Sequence, residues 1–157
     1  MTFDFAGQTV LVTGAAHGFG RTIAGAFAMR GADVFVCDVV SHEVEETLGL
    51  LGDRGHGKIV DVTDHTAVGR WVGEALGQTG RIDVLVNNAG GVLGQIGQPI
   101  ESVSASQWQD IVAVNQTAAF WTSQAVALTM KEAKAGRIIN ISSGAGLGVS
   151  KTGIQAY

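Results

Sequence analysis

Short apolar runs alternate along this chain with longer segments in which apolar residues recur every third or fourth position. The run Thr9-Val10-Leu11-Val12 reads as a buried strand. A helical pattern follows, with Phe19, Ile23 and Phe27 on one line and Ala24 and Ala28 on its neighbour. Ala32 to Asp38 predicts a second strand. Ser41 is the expected N-cap of the next helix, with Glu43, Glu45 and Glu46 in a first turn where acids suit the helix dipole, and Val44, Leu48 and Leu51 form its buried face. A short third strand is expected from Gly57 to Val62. Thr63 or Asp64 then caps a helix with the stripe Val68, Trp71, Val72, Ala75 and Leu76. The fourth strand, Ile82 to Val86, runs into Asn87-Asn88-Ala89-Gly90. The stretch from Gly90 to Ser102, with three further glycines and Pro99, reads as a mobile loop. Ser104 and Gln107 have capping-box spacing and open a long helix with Trp108, Ile111, Val112, Asn115 and Ala119 on its apolar face. Arg137 to Ser143 is the fifth strand.

Strands and helices in strict alternation, joined by short connections, require right-handed crossovers and a parallel sheet. In such a sheet the ligand lies beyond the C-terminal strand ends. Gly14, Asp38, Asp61, Asn88 and Ser143 all fall at those ends.

The first of these ends carries the most chemistry. Thr13-Gly14-Ala15-Ala16-His17-Gly18-Phe19-Gly20 joins a strand to a helix that starts in its last glycines. The first backbone N–H groups of a helix have no intrahelical partner, and the helix dipole favours an anion there. Glycines allow the turn and let the backbone approach a pyrophosphate. The spacing Gly14-x-x-x-Gly18-x-Gly20 departs from the common G-x-G-x-x-G fingerprint, and the alternative is an ordinary glycine-rich turn. Asp38 narrows the choice. It ends the second strand at roughly the 20-residue distance where a carboxylate meets an adenosine ribose. It would accept from the ribose hydroxyls and repel a 2′-phosphate, and no Arg or Lys stands at 37–41. That favours NAD over NADP; the alternative is a strand-end acid in a loop. Asn115 is the polar member of an apolar helix face. It reads either as a binding group or as a core amide with satisfied partners.

Composition bounds what else the chain can be. Its 157 residues are 46% hydrophobic and 15% charged, which excludes a disordered chain. The net charge of −4 and the lack of a basic cluster argue against nucleic acid as a partner. Cys37 lies within an apolar strand and is expected to be a small core residue rather than a nucleophile. The N-terminus has no basic region followed by an apolar stretch, so no signal peptide and a reducing, cytoplasmic setting are expected. Ile111 to Met130 carries no charge, yet its amides and hydroxyls make it too polar for a membrane span. A helix buried in the core or against another subunit is expected, with Trp121, Ala125 and Leu128 offering a face for a copy of the chain. His17, His42, His56 and His65 lack ligand spacing on one helix face, so no metal site is expected.

These pieces in order, with Asp61-Val62, Asn87-Asn88-Ala89-Gly90, Asn115 and Ile138-Ile139-Asn140-Ile141-Ser142-Ser143 followed by Tyr157, resemble the short-chain dehydrogenase/reductase family over the whole sequence. The resemblance implies an α/β fold. Its core is a Rossmann-like, doubly wound parallel sheet, here five strands in the order 3-2-1-4-5, with the family's C-terminal strands absent. Residues 1–157 are then a single dinucleotide-binding domain, C-terminally incomplete. The resemblance places Gly14, Phe19 and Gly20, with Gly18, under the pyrophosphate and Asp38 on the adenosine ribose. Asp61 and Val62 flank the adenine, and Asn88, Ala89 and Gly90 pass the nicotinamide ribose. His17 falls near the adenosine side; the alternative is an exposed loop histidine. Ser143 matches the catalytic serine, Tyr157 the proton donor and acceptor, and Asn115 the asparagine of the proton relay.

The implied activity is an NAD-dependent oxidoreductase that interconverts a secondary alcohol and a ketone by hydride transfer, on a polyol, sugar, sugar acid or hydroxyacyl substrate. A phenol's ordinary pKa, near 10, is too high for a base at neutral pH, so Tyr157 needs a cationic neighbour. The family supplies a lysine a few positions after the tyrosine, and this sequence ends at Tyr157, its only tyrosine. The expectation is therefore a longer parent protein. The second reading, from a different class, is a dinucleotide-binding module without turnover. A homo-oligomer, dimer or homotetramer, is expected through the long helix.

Overall fold

The computed structural model describes residues 3–148 and 157. Five parallel strands form one sheet in the order β3-β2-β1-β4-β5. They are β1 (Thr9–Thr13), β2 (Asp33–Asp38), β3 (Gly55–Ile59), β4 (Val84–Asn87) and β5 (Arg137–Asn140). The helices are α1 (Gly18–Ala28), α2 (Ser41–Leu51), α3 (His65–Thr79), α4 (Ala105–Val112) and α5 (Ala118–Glu132). Order reverses at β1, which pairs with β2 on one side and β4 on the other. That reversal is where a doubly wound sheet opens a crevice.

The central strands are apolar on both faces because helices cover both. Successive side chains point to opposite faces. Val10, Val12, Val34, Val36, Val84 and Val86 accordingly share one buried cluster with Ala24, Val44 and Leu51 of α1 and α2. Leu11, Phe35, Cys37 and Leu85 share the other with Val68, Trp71 and Val72 of α3 and Val126 and Met130 of α5.

Several element boundaries differ from the sequence expectation, each for a local reason. β3 begins at Gly55 and ends at Ile59 rather than running from Gly57 to Val62. Its first residues carry no apolar pattern because α2 lies directly over them. A Cβ on Gly55 would sit 2.6 Å from Leu51 Cβ, and one on Gly57 2.8 Å from Val44 Cγ1. His56 stacks on Phe35 with ring centroids 4.3 Å apart. Ser41 is the first helical residue of α2 and Val40 its N-cap, with no side-chain cap bond. Asp64 caps α3, accepting from the Thr66 and Ala67 amides. Phe19 and Trp108, read as buried positions, are 79% and 52% exposed.

The long helix has the expected Ser104–Gln107 capping box, but it is two helices joined by a π turn at Ala113–Thr117. The 90–102 loop is bonded to the helices that follow it. Gln98 Nε2 donates to Gln107 Oε1 at 3.0 Å, and the Gly91 amide donates to Asn115 Oδ1 at 2.9 Å. β5 stops at Asn140, lies at the sheet edge, and is exposed along its length. Among the described residues no helix is long and apolar enough to cross a membrane.

Candidate functional site

The C-terminal ends of β1 and β4 are locked together by two side chains, Asn88 and Thr13. Asn88 Nδ2 donates to the carbonyls of Gly14 at 2.8 Å and Thr13 at 3.1 Å. The amides of Asn88 and Ala89 both donate to Thr13 Oγ1, at 3.1 and 3.0 Å. The Asn88 side-chain nitrogen is thus committed to the turn. The turn needs glycine at its first position. Gly14 has φ +63°, and a Cβ there would lie 2.7 Å from Ala89 Cα.

Asp38, at the end of β2, faces the same turn. Its Oδ2 accepts from the Ala16 amide at 3.0 Å, while Oδ1 accepts from the Val39 amide at 2.7 Å. Asp61 holds the chain after β3, its Oδ1 accepting from the amide and hydroxyl of Thr63 at 2.8 and 2.7 Å. Behind the turn, Cys37 is wholly buried. Burial, with the Asp38 charge beside it, pushes its thiol far above the ordinary range, against a smaller opposing pull from the Gly14 backbone. The thiol stays protonated and is no nucleophile.

These ends surround a cleft of about 720 Å³. Gly14, His17, Gly18, Phe19, Asp38, Asp61, Val62, Asn88, Ala89 and Gly90, all singled out in the sequence, line it. Gly20, Asn115, Ser143 and Tyr157 do not. Gly20 packs beneath the turn against the Gly14 carbonyl. Asn115 lies in the π turn. Its Nδ2 donates to the carbonyls of Gly91 at 2.8 Å and Ile111 at 2.9 Å, and with the Gly91 amide bond this clips the post-β4 loop to the helix. Ser143 caps a short turn, its Oγ accepting from the Ala145 amide at 3.1 Å. Tyr157 is 41% exposed.

The cleft also holds groups that sequence reasoning passed over. Asp110 of α4 joins Asp38 and Asp61, so among the described residues the titratable side chains that line the cleft are three carboxylates and one imidazole, with no Lys or Arg. Asp110 sits on the polar side of a helix read for its apolar side, which left no signal. Leu93 lines the mouth with φ +48°, followed by Gly94 at φ +75°, in a turn closed by the Gln95 amide on the Val92 carbonyl at 2.8 Å. A non-glycine residue there is strained, and no local pattern announces it. Behind β4 lies a buried polar knot. Asn87 Nδ2 donates to Asn140 Oδ1 at 2.8 Å and Ser123 Oγ at 3.1 Å, and Thr122 Oγ1 donates to Asn87 Oδ1 at 2.6 Å. It ties β5 and α5 to the strand that ends in the cleft. Among the described residues no cluster of His, Cys, Asp or Glu could hold a metal ion.

The cleft fits a dinucleotide on its own geometry. A Cβ on Gly18 (φ +54°) would meet no protein atom within 4 Å, in the cleft that Gly18 lines. The space a side chain would take is left open at the start of α1. The polar groups around it are backbone amides and carboxylates, suited to a pyrophosphate and to hydroxyls respectively.

The family model for short chain dehydrogenase matches residues 8–157. A cyclohexanol dehydrogenase of Rhodococcus sp. (strain TK6) is 36% identical over 96% of this chain and 62% of its own length. A 5-keto-D-gluconate 5-reductase of Escherichia coli (strain K12) is 37% identical over 90% of this chain and 56% of its own. The chain thus spans little more than half the length of these curated relatives. A solved metagenomic short-chain oxidoreductase in complex with NADP superposes with a TM-score of 0.89 at 32% identity, covering 97% of this chain and 70% of that one.

Proposed function

The chain belongs to the short-chain dehydrogenase family, and from that premise we propose that its cleft binds NAD and serves the interconversion of a secondary alcohol and a ketone. The observation that carries the reading is the convergence of Gly14, Gly18, Asp38, Asp61 and Asn88 on one cleft. When bound, a nicotinamide dinucleotide supplies two-electron redox chemistry there. The protein's own part is binding and orientation. The start of α1 and the turn before it take the pyrophosphate, with Phe19 and Gly20 at the helix start. Asp38 accepts from the adenosine ribose, Asp61 and Val62 flank the adenine, and the backbone from Asn88 to Gly90 lies along the nicotinamide ribose.

NAD over NADP follows from charge. A 2′-phosphate beside Asp38, in a cleft whose described lining holds three carboxylates and no Lys or Arg, is repelled. NADP in the metagenomic relative is that protein's property.

For the chemical step we assign Tyr157 the hydroxyl proton, Ser143 a hydrogen bond to the substrate oxygen as charge develops, and Asn115 a relay position. Asn115 would act while also holding Gly91, so its relay role runs through the loop it clips. Cyclohexanol and 5-keto-D-gluconate, from the names of the relatives, are the first substrates to try. A homo-oligomer through α4 and α5 is part of the reading; of the expected face only Leu128 is exposed, while Trp121 lies against His65 and Ala125 packs on the core, and Trp108 and Phe120 are the other large apolar side chains exposed on these helices. Sedimentation as a monomer sinks that part.

The test is absorbance at 340 nm with each nicotinamide cofactor and these substrates, on the wild type and Tyr157→Phe. Turnover lost in Tyr157→Phe with NAD affinity kept supports the enzyme. A second reading, binding without turnover, is favoured by Ser143 and Tyr157 standing outside the cleft lining. NAD binding with no turnover in the wild type would select it.

A further inference from the structure

Two residues of the phosphate turn, Ala15 and Ala16, have both backbone polar groups engaged. The Ala15 amide donates to the Cys37 carbonyl at 3.2 Å and the Ala16 amide to Asp38 Oδ2 at 3.0 Å. On the other side, Thr47 Oγ1 of α2 lies 3.0 Å from both the Ala15 and the Ala16 carbonyl oxygens. Arg21 Nε of α1 lies 2.7 Å from the Ala16 carbonyl and 2.9 Å from Thr47 Oγ1. The guanidinium is held in turn by the Glu43 carbonyl at 3.2 Å and Glu46 Oε2 at 3.0 Å. Thr47 is fully buried, and neither Thr47 nor Arg21 lines the cleft.

An anion site built from backbone N–H groups works only while the neighbouring carbonyl oxygens point elsewhere, because a carbonyl swung toward a phosphate repels it. Here the turn lies between Gly14 and Gly18, residues with wide backbone freedom. The restraint therefore has to come from outside the turn. Thr47 has one hydroxyl proton for two carbonyls, and Arg21 supplies the second donor with a full charge behind it. Ala16 then joins this pair, through its carbonyl, to Asp38, through its amide. Affinity for the phosphates is in this way coupled to α2, which touches no ligand.

We infer that Thr47 and Arg21 are positioning residues that set the affinity of the cleft for the diphosphate of a dinucleotide without contacting it. The inference rests on the dinucleotide reading above. It is tested by calorimetric titration of NAD and ADP, and by NMR titration of adenosine, into wild type, Thr47→Val, Thr47→Ser and Arg21→Met. Thr47→Val removes the hydroxyl at nearly constant shape. NAD and ADP should bind it about tenfold more weakly, the worth of roughly one hydrogen bond. Adenosine, which has no phosphate, should bind as to wild type. Thr47→Ser restores the donor and should recover most of the ADP affinity. Arg21→Met should weaken ADP in the same selective way, and it decides the matter if Thr47→Val does not fold by circular dichroism. Wild-type ADP affinity in both Thr47→Val and Arg21→Met overturns the inference, as does an equal loss for adenosine and ADP. Failure of the wild type itself to bind NAD or ADP is a separate result, which removes the dinucleotide reading and this inference with it.

Discussion

Two glycines of α1 make a matched pair. Gly20 and Gly25 both lie in this helix. A Cβ on Gly25 would meet nothing within 4 Å, whereas one on Gly20 would lie 2.2 Å from the Gly14 carbonyl oxygen and 2.6 Å from Asn88 Nδ2. Replacing either by alanine gains helix propensity, about 0.5–1 kcal/mol. For Gly25→Ala that gain stands alone. For Gly20→Ala it is set against forced movement of backbone, which costs about 1–3 kcal/mol in a well-packed site. The Asn88 bonds to Thr13 and Gly14 must also shift. The propensity gain is common to both and cancels, so the two variants should differ by the strain alone, roughly 2 kcal/mol. In urea, at a slope of about 1–3 kcal/mol/M, that separates their midpoints by about 1 M. NAD titration should show wild-type affinity for Gly25→Ala and a large loss for Gly20→Ala. Equal midpoints together with equal NAD affinities would refute the argument that close approach at Gly20 shapes the turn.

Other consequences can be checked separately. Leu93→Asn should stabilise the protein by about 1 kcal/mol in urea unfolding, because asparagine tolerates the left-handed backbone that leucine resists. Cys37 should resist alkylation by iodoacetamide at pH 8 in the folded protein and react once denaturant is added, since burial holds the thiol protonated. Burial alone pushes the Asp83 carboxyl up, but hydrogen bonds from Arg81 and the Thr9 amide, with the Arg81 charge, hold it below the ordinary carboxylate value. A lowered folded pKa gives stability that is complete above the unfolded value, about 3.9, and disappears as pH falls through the folded one. The stability gap between wild type and Asp83→Asn should thus be constant from pH 7 to 5 and shrink below pH 4.

The sheet was legible because its central strands are continuous apolar runs, and the cleft because strand-end glycines and carboxylates fall where a parallel sheet gathers them. What stayed hidden depended on packing across the fold. The start of β3 is glycine and histidine under α2, with no hydrophobic period to read. Asn115, in the π turn, bonds Gly91, which is distant in sequence. Phe19 has the right helical spacing for the core but lies in the first turn, over the cleft, and is exposed. Arg21 and Thr47 carry no motif or pattern in the sequence, and only the placement of α2 beside the turn makes them a pair.

If three carboxylates and a backbone anion site make this cleft a seat for NAD, calorimetric titration of the protein with NAD and, separately, NADP will show it. One NAD should bind per chain, and NADP should bind at least about tenfold more weakly, as a phosphate facing Asp38 should. Tighter binding of NADP, or no binding of either, would contradict it.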